Sequence, residues 1–405
     1  MELKSVLKST KYIFGMNSIY LGNNYLWISF EALILPYLIS IYIARSLQSI
    51  ILGLVGFAGI MTGIVFNYLS GFFSDKIVTG IGRRTPFIIA GSLLSLLSLI
   101  LIMFNYFYIY IVFALYIVIE IGSNLAYGAY QPLIRDIIPE TQRGKSSGIN
   151  GFFTLTGTAM GFGLSGLFIS HGMLRISILI IIITISLSTV LTVLTIRHDD
   201  LKIIKNDIKF RFSLEFKWFF VSNFLIICGS SGLTFFEYYY IKFSLGIGNA
   251  AIFVAIAGLF ILIVSAVASA FIGVLSDKID KSILLFLFPL AGGISIFLLS
   301  MARNFIIFLI LGSIIGISFG NYYSISNSYL SYIVPAGRHG QFMSVFFLST
   351  GIASAVSPLI YGLVLYIFKY QNFESYSHLF QISSIFYFTG ALIIFLKLYQ
   401  KNKYY

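Results

Sequence analysis

The sequence predicts an all-α integral membrane protein with twelve transmembrane helices in two pseudo-symmetric six-helix halves. Three observations predict it. The 405 residues are 58% hydrophobic and only 10% charged, with a mean hydropathy of +0.95, against roughly 25% charged residues in soluble domains. Apolar runs long enough to cross ~30 Å of hydrocarbon, about 20 residues each, recur twelve times. Finally, a short charged motif returns in the second half: Gly71-Phe-Phe-Ser-Asp75-Lys76 reappears as Gly273-Val-Leu-Ser-Asp277-Lys278, an internal repeat of the kind that marks duplicated architecture.

In the first half the apolar runs fall at 18–44, 49–73, 86–104, 107–133, 147–169 and 174–196. In the second they fall at 218–243, 250–275, 283–301, 304–333, 341–368 and 379–397. The longest polar break, 197–217, divides a half at 1–196 from a half at 218–405 and reads as a cytoplasmic linker. A second repeated element supports the duplication. Ile138-Pro139-x-x-x-Arg143 returns, with one residue deleted, as Val334-Pro335-x-x-Arg338.

Twelve spans place both termini on one side, and the basic residues say which. Of the 26 Lys and Arg, five (Arg45, Arg175, Lys242, Arg303 and Lys369) fall on the side opposite the termini. The other 21 share the side of the termini, so both termini are expected in the cytoplasm of a multi-pass plasma-membrane protein. The net charge of +12 therefore reports topology and not nucleic-acid binding. Lys4, Lys8 and Lys11 precede the first run. That run is long and no small-residue cleavage site follows, so a cleaved signal peptide is not expected. Cys228 is the sole cysteine, which excludes an internal disulfide, and the four histidines show no metal-ligand spacing.

The most charged short stretch runs from Gly71 to Phe87. Gly71 and Gly82 permit close approach or a turn. Pro86 suits the first turn of the next helix. Asp75 can pair with Arg83 or Arg84, or cap a helix. The second copy lacks the Gly-Arg-Arg-Thr-Pro tail, so the halves are related without being equivalent. Gly157, Gly161 and Gly163 crowd the fifth run and read as a packing surface.

Three acids fall inside predicted spans: Glu31, Glu120 and Glu237. A charge near the bilayer centre costs roughly 2.5–3.5 kcal/mol on insertion scales, so such residues usually face a cavity and carry function. The plainer reading of each is a protonated, hydrogen-bonded structural glutamate. Asn124, Tyr127 and Gln131 follow Glu120 at +4, +7 and +11 and share its helix face. The corresponding face in the second half holds Gly316, Gly320, Tyr323 and Asn327, an aromatic and an amide with no acid. Asn24 and Trp27 lie on the face of Glu31. Trp27 can stack on a sugar ring or sit at the membrane interface. Glu237 stands among Tyr238, Tyr239 and Tyr240, near Lys242, with which it can pair.

The spacing G-x-x-x-D-K…G-R-R resembles the loop between helices two and three of the major facilitator superfamily. The longer form, Ser74-Asp75-Lys76 through Gly80-Ile81-Gly82-Arg83-Arg84-Thr85-Pro86-Phe87-Ile88, is similar to the sucrose–proton symporters. Those belong with the glycoside–pentoside–hexuronide cation symporters. Ile119-Glu120-Ile121-Gly122-Ser123-Asn124, continuing to Asp136, is similar to helix four of the plant-type sucrose symporters, and Ile34-Leu35-Pro36-Tyr37 to their first helix. The resemblance implies the major facilitator fold and maps the family's proton-coupling acid onto Glu120, its second Asn onto Asn124 and its terminal Asp onto Asp136. The family's helix-four arginine falls at Gln131, so the match breaks there; Arg135 lies one turn away, near the membrane surface.

The expectation is a secondary symporter that alternates access to a small sugar or glycoside, acting as a monomer in the lipid bilayer, with no cofactor and no nucleic-acid partner. Glu120 would carry the proton, with Glu31 and Glu237 as further candidates. Sodium is the alternative ion, since related melibiose-type symporters use it. Asn24, Trp27, Asn124, Tyr127, Gln131, Tyr323 and Asn327 would bind hydroxyls. Gly71, Asp75, Gly82, Arg83, Arg84, Asp136, Arg143 and Asp277 would form a cytoplasmic gate. Two other readings stand beside it: an exporter of hydrophobic compounds with the same fold, and a non-transporting sensor, which would want a sizeable cytoplasmic output element. No nucleotide loop, catalytic triad or metal set supports an enzyme.

Overall fold

The computed structural model describes residues 7–77, 79–196, 213–276, 279–333, 339–368 and 373–396. Asp277, Arg338 and most of the expected linker (197–212) lie outside these residues. Among those described, twelve helices are long and apolar enough to span a membrane. They are α1 (Thr10–Tyr42), α2 (Arg45–Ser74), α3 (Thr85–Asn105), α4 (Ile109–Ile137), α5 (Glu140–Ser170), α6 (Leu174–Ile196) and α7 (Leu214–Ser244). The rest are α8 (Ala250–Ser276), α9 (Lys281–Leu299), α10 (Phe305–Ile333), α11 (His339–Ile367) and α12 (Phe373–Ile394).

Five helices begin four or more residues before their apolar runs: α1 at Thr10, α2 at Arg45, α5 at Glu140, α7 at Leu214 and α12 at Phe373. The added turns carry polar residues, some exposed and some, further along, buried and paired. Ser9 caps α1, its hydroxyl accepting the Tyr12 N–H at 3.2 Å. Asn17 of α1 and Ser146 of α5 are both fully buried, and the Asn17 amide donates to the Ser146 hydroxyl at 3.1 Å. A hydropathy window reads such residues as loop, whereas the helix continues because each polar group has a partner inside the protein. Prolines punctuate as their chemistry dictates: Pro86 sits in the first turn of α3. In α4 the regular helix stops at Tyr130, just before Pro132, and one further turn spans Leu133–Ile137.

By Cα grouping the chain forms two units, one of residues 1–38 and 58–207, the other of residues 39–57 and 208–405. In unit one, small residues bring backbones together, as is usual for helices packed in lipid. A methyl group on Gly122 of α4 would meet the Gly91 carbonyl of α3 at 2.6 Å. One on Gly157 of α5 would meet the Leu21 carbonyl of α1 at 2.6 Å. The Ser18 hydroxyl ties α1 to the Ser188 carbonyl of α6 at 2.9 Å. Two stretches are wound as π-helix, Ser29–Ile34 in α1 and Gly161–Ser165 in α5. They face each other, the Ser165 hydroxyl donating to that of Ser29 at 2.8 Å.

In unit two, α7 is the central element. Its carbonyl at Gly229 accepts from Tyr361 of α11 at 3.0 Å and from Ser383 of α12 at 2.6 Å. Cys228 is fully buried there, packed with Ala353. A third π stretch, Tyr240–Ser244, ends the helix.

Each unit holds the same buried polar lock on matching helices. In unit one, Tyr130 of α4 donates to Asn17 of α1 (3.1 Å), which donates to Ser146 of α5. In unit two, Tyr322 of α10 donates to Asn223 of α7 (3.4 Å), which donates to Thr350 of α11 at 3.0 Å.

Candidate functional site

The middle of α4 in unit one carries an acid with a built surrounding. Glu120 is 3% exposed. The Asn124 amide, one turn on, donates to its carboxylate Oε2 at 3.1 Å and to its backbone carbonyl at 3.0 Å. Helix α2 contributes Gly63 opposite: a methyl group there would meet the Asn124 amide at 2.5 Å and Glu120 Oε2 at 3.1 Å. One turn earlier on each helix, Gly59 of α2 faces the ring of Tyr116 in the same way. The four-residue spacing of Tyr116, Glu120 and Asn124 thus runs along the four-residue spacing of Gly59 and Gly63.

Helix α1 supplies aromatic walls. The Trp27 indole N–H donates to Ser123 at 3.3 Å, and the ring meets Tyr127 edge-on with centroids 5.5 Å apart. Tyr127 also meets Tyr20 edge-on at 5.6 Å and hydrogen-bonds through its hydroxyl to Gln131. Asn24 is turned back on its own helix, donating to the Tyr20 carbonyl at 2.8 Å. Glu31 sits in the π stretch of α1, and its charge interacts with that of Glu120. Unit one therefore brings together Glu31, Glu120, Asn124, Trp27, Tyr127 and, at the edge, Gln131. The sequence pattern did not point to Tyr116, Gly59 or Gly63. The available signal for the glycines was their spacing in α2.

In unit two, Glu237 lies on α7 with its Oε1 buried and without a hydrogen-bond partner. Lys242 does not pair with it. The ammonium donates to Ser40 at 3.0 Å and lies over the rings of Tyr238 and Phe243. Tyr323 and Asn327 both lie on α10, with Tyr323 stacked on Phe319 at 6.4 Å.

The charged loop of unit one closes on itself. Arg83 and Arg84 are each 3% exposed. Both guanidinium groups reach Asp136 Oδ2, at 2.9 and 2.8 Å, and Arg84 also reaches Asp75 at 2.9 Å. The turn that delivers them is a two-residue bridge between Thr79 and Gly82. Gly82 has φ 116°, a backbone state that suits glycine. Gly71 has ordinary space, its nearest neighbour for an added methyl being the Gly128 carbonyl at 3.8 Å. Arg143 stays apart, 3.9 Å from Glu140 at the start of α5.

The model of the Major Facilitator Superfamily matches the chain over residues 19–358 and 219–404. The chain belongs to the Major Facilitator Superfamily. As a member it is a multi-pass membrane transporter of small molecules and not an enzyme. Its fold is shared with the crystal structure of a peptide transporter POT in complex with sulfate, with TM-score 0.74 at 15% identity over 98% of this chain and 97% of that one. It is shared equally with a D-xylose-proton symporter, TM-score 0.73 at 16% identity over 95% and 96%. At such identities the likeness is one of fold. A general alpha-glucoside permease of Schizosaccharomyces pombe (strain 972 / ATCC 24843) is 34% identical over 94 residues, 23% of this chain. The match spans only 16% of the length of that curated relative.

Proposed function

We propose that this major facilitator transporter is a proton-coupled symporter of a sugar or glycoside, working by alternating access in the plasma membrane with both termini cytoplasmic. The observation that carries the reading is the pairing of Glu120 with Asn124 beside the Trp27–Tyr127 corner. An ionisable group held inside a spanning helix is costly, and such residues usually carry function. An aromatic corner offers an apolar ring face a surface to stack on. Amide and phenol groups alongside offer hydrogen bonds to hydroxyls. The stretch similar to an alpha-glucoside permease is in keeping with this substrate class.

Glu120 takes a proton from the outer side and gives it up to the cytoplasm. Asn124 orients the carboxylate. Trp27, Tyr127, Gln131 and Asn24 in unit one, and Tyr323 and Asn327 in unit two, are the residues for substrate. Asp75, Arg83, Arg84 and Asp136 form a cytoplasmic latch. Glu237 is a further acid available to the coupling step.

The test is uptake of labelled mono- and disaccharides into proteoliposomes, with and without an inward proton gradient, for wild type and Glu120→Gln. Gradient-driven accumulation lost in Glu120→Gln with exchange retained supports the reading. Absence of any sugar movement overturns the substrate class and leaves export of hydrophobic compounds as the reading to test.

A further inference from the structure

Two cations of unit two converge on one aromatic ring. The Arg45 guanidinium lies over Phe243 at 4.6 Å from its centroid, and the Lys242 ammonium lies over the same ring at 5.5 Å. The two charges therefore stand within about 10 Å of each other, the screening length at about 0.1 M salt. Arg45 opens α2 and Lys242 lies in the last turn of α7. The end of α1 joins them through Ser40, whose hydroxyl accepts from Lys242 at 3.0 Å. All of these residues fall in the one unit.

The pairing is particular to this place. On the side opposite the termini, Arg175 lies over Tyr106 at 5.7 Å and Arg303 over Phe373 at 4.7 Å. Each has its own ring. Among the described residues only Arg45 and Lys242 share one.

Helix dipoles account for half of the arrangement. Lys242 faces the negative pole at the end of α7, where a cation is favoured. Arg45 stands at the start of α2, the positive pole, where a cation is disfavoured. An ammonium, a guanidinium and a positive helix end thus meet in one place. Among the described residues no carboxylate pairs with Lys242, which rests on Ser40 and on the rings of Tyr238 and Phe243. Contacts with rings are worth about 0.5–2 kcal/mol, and an ammonium has donors to spare beyond the one given to Ser40. Lys242 is also half-buried at the end of a spanning helix, where an ionisable group is costly and usually carries function. Beside the pair, Tyr239 is fully buried with its hydroxyl unpartnered, its ring 5.6 Å from that of Phe243.

We propose that Lys242 and Arg45 form an oxyanion-binding site, which takes the carboxylate or phosphate group of a solute on the side of the membrane opposite the termini. The guanidinium offers a planar fork and the ammonium a point charge, and both donate charge-assisted hydrogen bonds to the anion. Arg45 is exposed and gives the site its opening to water, while half-buried Lys242 forms its inner wall. Phe243 sets the spacing of the two cations. The bound anion joins the start of α2 to the end of α7 and cancels the repulsion between them.

The site goes beyond the sugar reading, and neither the proton nor the sugar enters its test. Equilibrium binding of labelled inorganic phosphate to the purified full-length protein in detergent reads it directly. The expected result is saturable binding at a single site. Lys242→Gln and Arg45→Gln should each weaken it by about tenfold or more, as loss of a hydrogen bond between charged groups does. Lys242→Arg should keep it, which separates loss of charge from loss of fold. Arg175→Gln and Arg303→Gln, which remove cations from the same side, should leave it unchanged. Acetate should compete with the phosphate, and phosphatidylglycerol mixed into the micelles should not.

Absence of saturable phosphate binding overturns the proposal. So does binding that survives in both Lys242→Gln and Arg45→Gln, or that falls equally in Arg175→Gln, since the effect is then one of general surface charge. Displacement by phosphatidylglycerol overturns the solute in favour of a lipid headgroup. Failure of sugar uptake leaves the anion site standing, and failure of phosphate binding leaves the sugar reading standing.

Discussion

The side-chain amide of Asn124 is bound twice to one residue: it donates to the Glu120 carboxylate at 3.1 Å and to the Glu120 backbone carbonyl at 3.0 Å. The acid and its orienting group are therefore locked into a single turn of α4. Asn124→Leu removes a hydrogen bond to an ionisable group, worth about 1.5–3 kcal/mol. The expected outcome is gradient-driven uptake reduced by about tenfold or more, with exchange less affected. Parallel uptake and counterflow assays on that variant check it.

Gly63 gives that pair its space. Gly63→Leu places carbon where the Asn124 amide and Glu120 Oε2 stand, 2.5 and 3.1 Å from the first added atom. Overpacking of this kind costs about 1–3 kcal/mol. The expected result is loss of transport with the protein still folded, read from uptake alongside a melting curve in detergent.

The two glycines of the charged loop should behave oppositely. Gly71→Ala adds a methyl group with its nearest neighbour at 3.8 Å, and its melting temperature should move little, within about 0.5 kcal/mol of stability. Gly82→Ala forces a side chain onto φ 116°, at a cost of about 1–3 kcal/mol. Thermal melting of the two variants side by side decides it.

Asp136 and Asp75 divide the work of neutralising two buried arginines unequally. The Asp136 side chain is 11% exposed and meets both guanidinium groups, whereas that of Asp75 is 57% exposed. Asp136→Asn leaves buried positive charge uncompensated and should cost about 3–5 kcal/mol. Asp75→Asn removes a solvent-screened pairing and should cost no more than about 1 kcal/mol. Equal melting temperatures for the two variants would refute this ranking.

The polar locks of the two units are expected to differ in strength. Asn17→Ala removes the acceptor of the Tyr130 hydroxyl, whereas Tyr322 keeps Ser222 and Ser326 when Asn223→Ala removes its bond to the amide. The first leaves a buried donor unsatisfied, a cost of about 1–3 kcal/mol, and the second costs less. A larger fall in melting temperature for Asn17→Ala than for Asn223→Ala, with uptake retained in the surviving protein, is the expected readout.

The fold was legible because lipid imposes its signature on every span: the residues facing it must be apolar over about 20 positions. The places where that logic failed are specific. Asn17 and Ser146 interrupt the apolar pattern at the ends of α1 and α5, yet both are fully buried, bonded to each other across helices. Hydropathy cannot tell a buried paired amide from a solvated one. The face of Glu120, Asn124 and Tyr127 was legible from helical spacing, since it is a property of one helix. The relation of Glu31 to Glu120 was not, since it depends on how α1 is wound and laid against α4. Tyr116 was hidden for a simpler reason: a tyrosine in an apolar run reads as core, and its place against Gly59 is a matter of packing. The pairing of Arg143 with Glu140 is likewise not written in the motif.

The glycine slot of α2 has a consequence for how the protein is made. A ribosome delivers residues 45–74 before residues 109–137, so the groove of Gly59 and Gly63 enters the bilayer ahead of the acid it accommodates. Glu120 emerges on a helix that already packs backbone-to-backbone with α3 through Gly91 and Gly122, and it meets a complementary surface waiting on α2. Towards α2 the costly residue is thus the later partner, and its time without that groove is set by the stretch of chain between α2 and α4. An insertion lengthening that stretch should lower the yield of membrane-inserted protein before it alters transport.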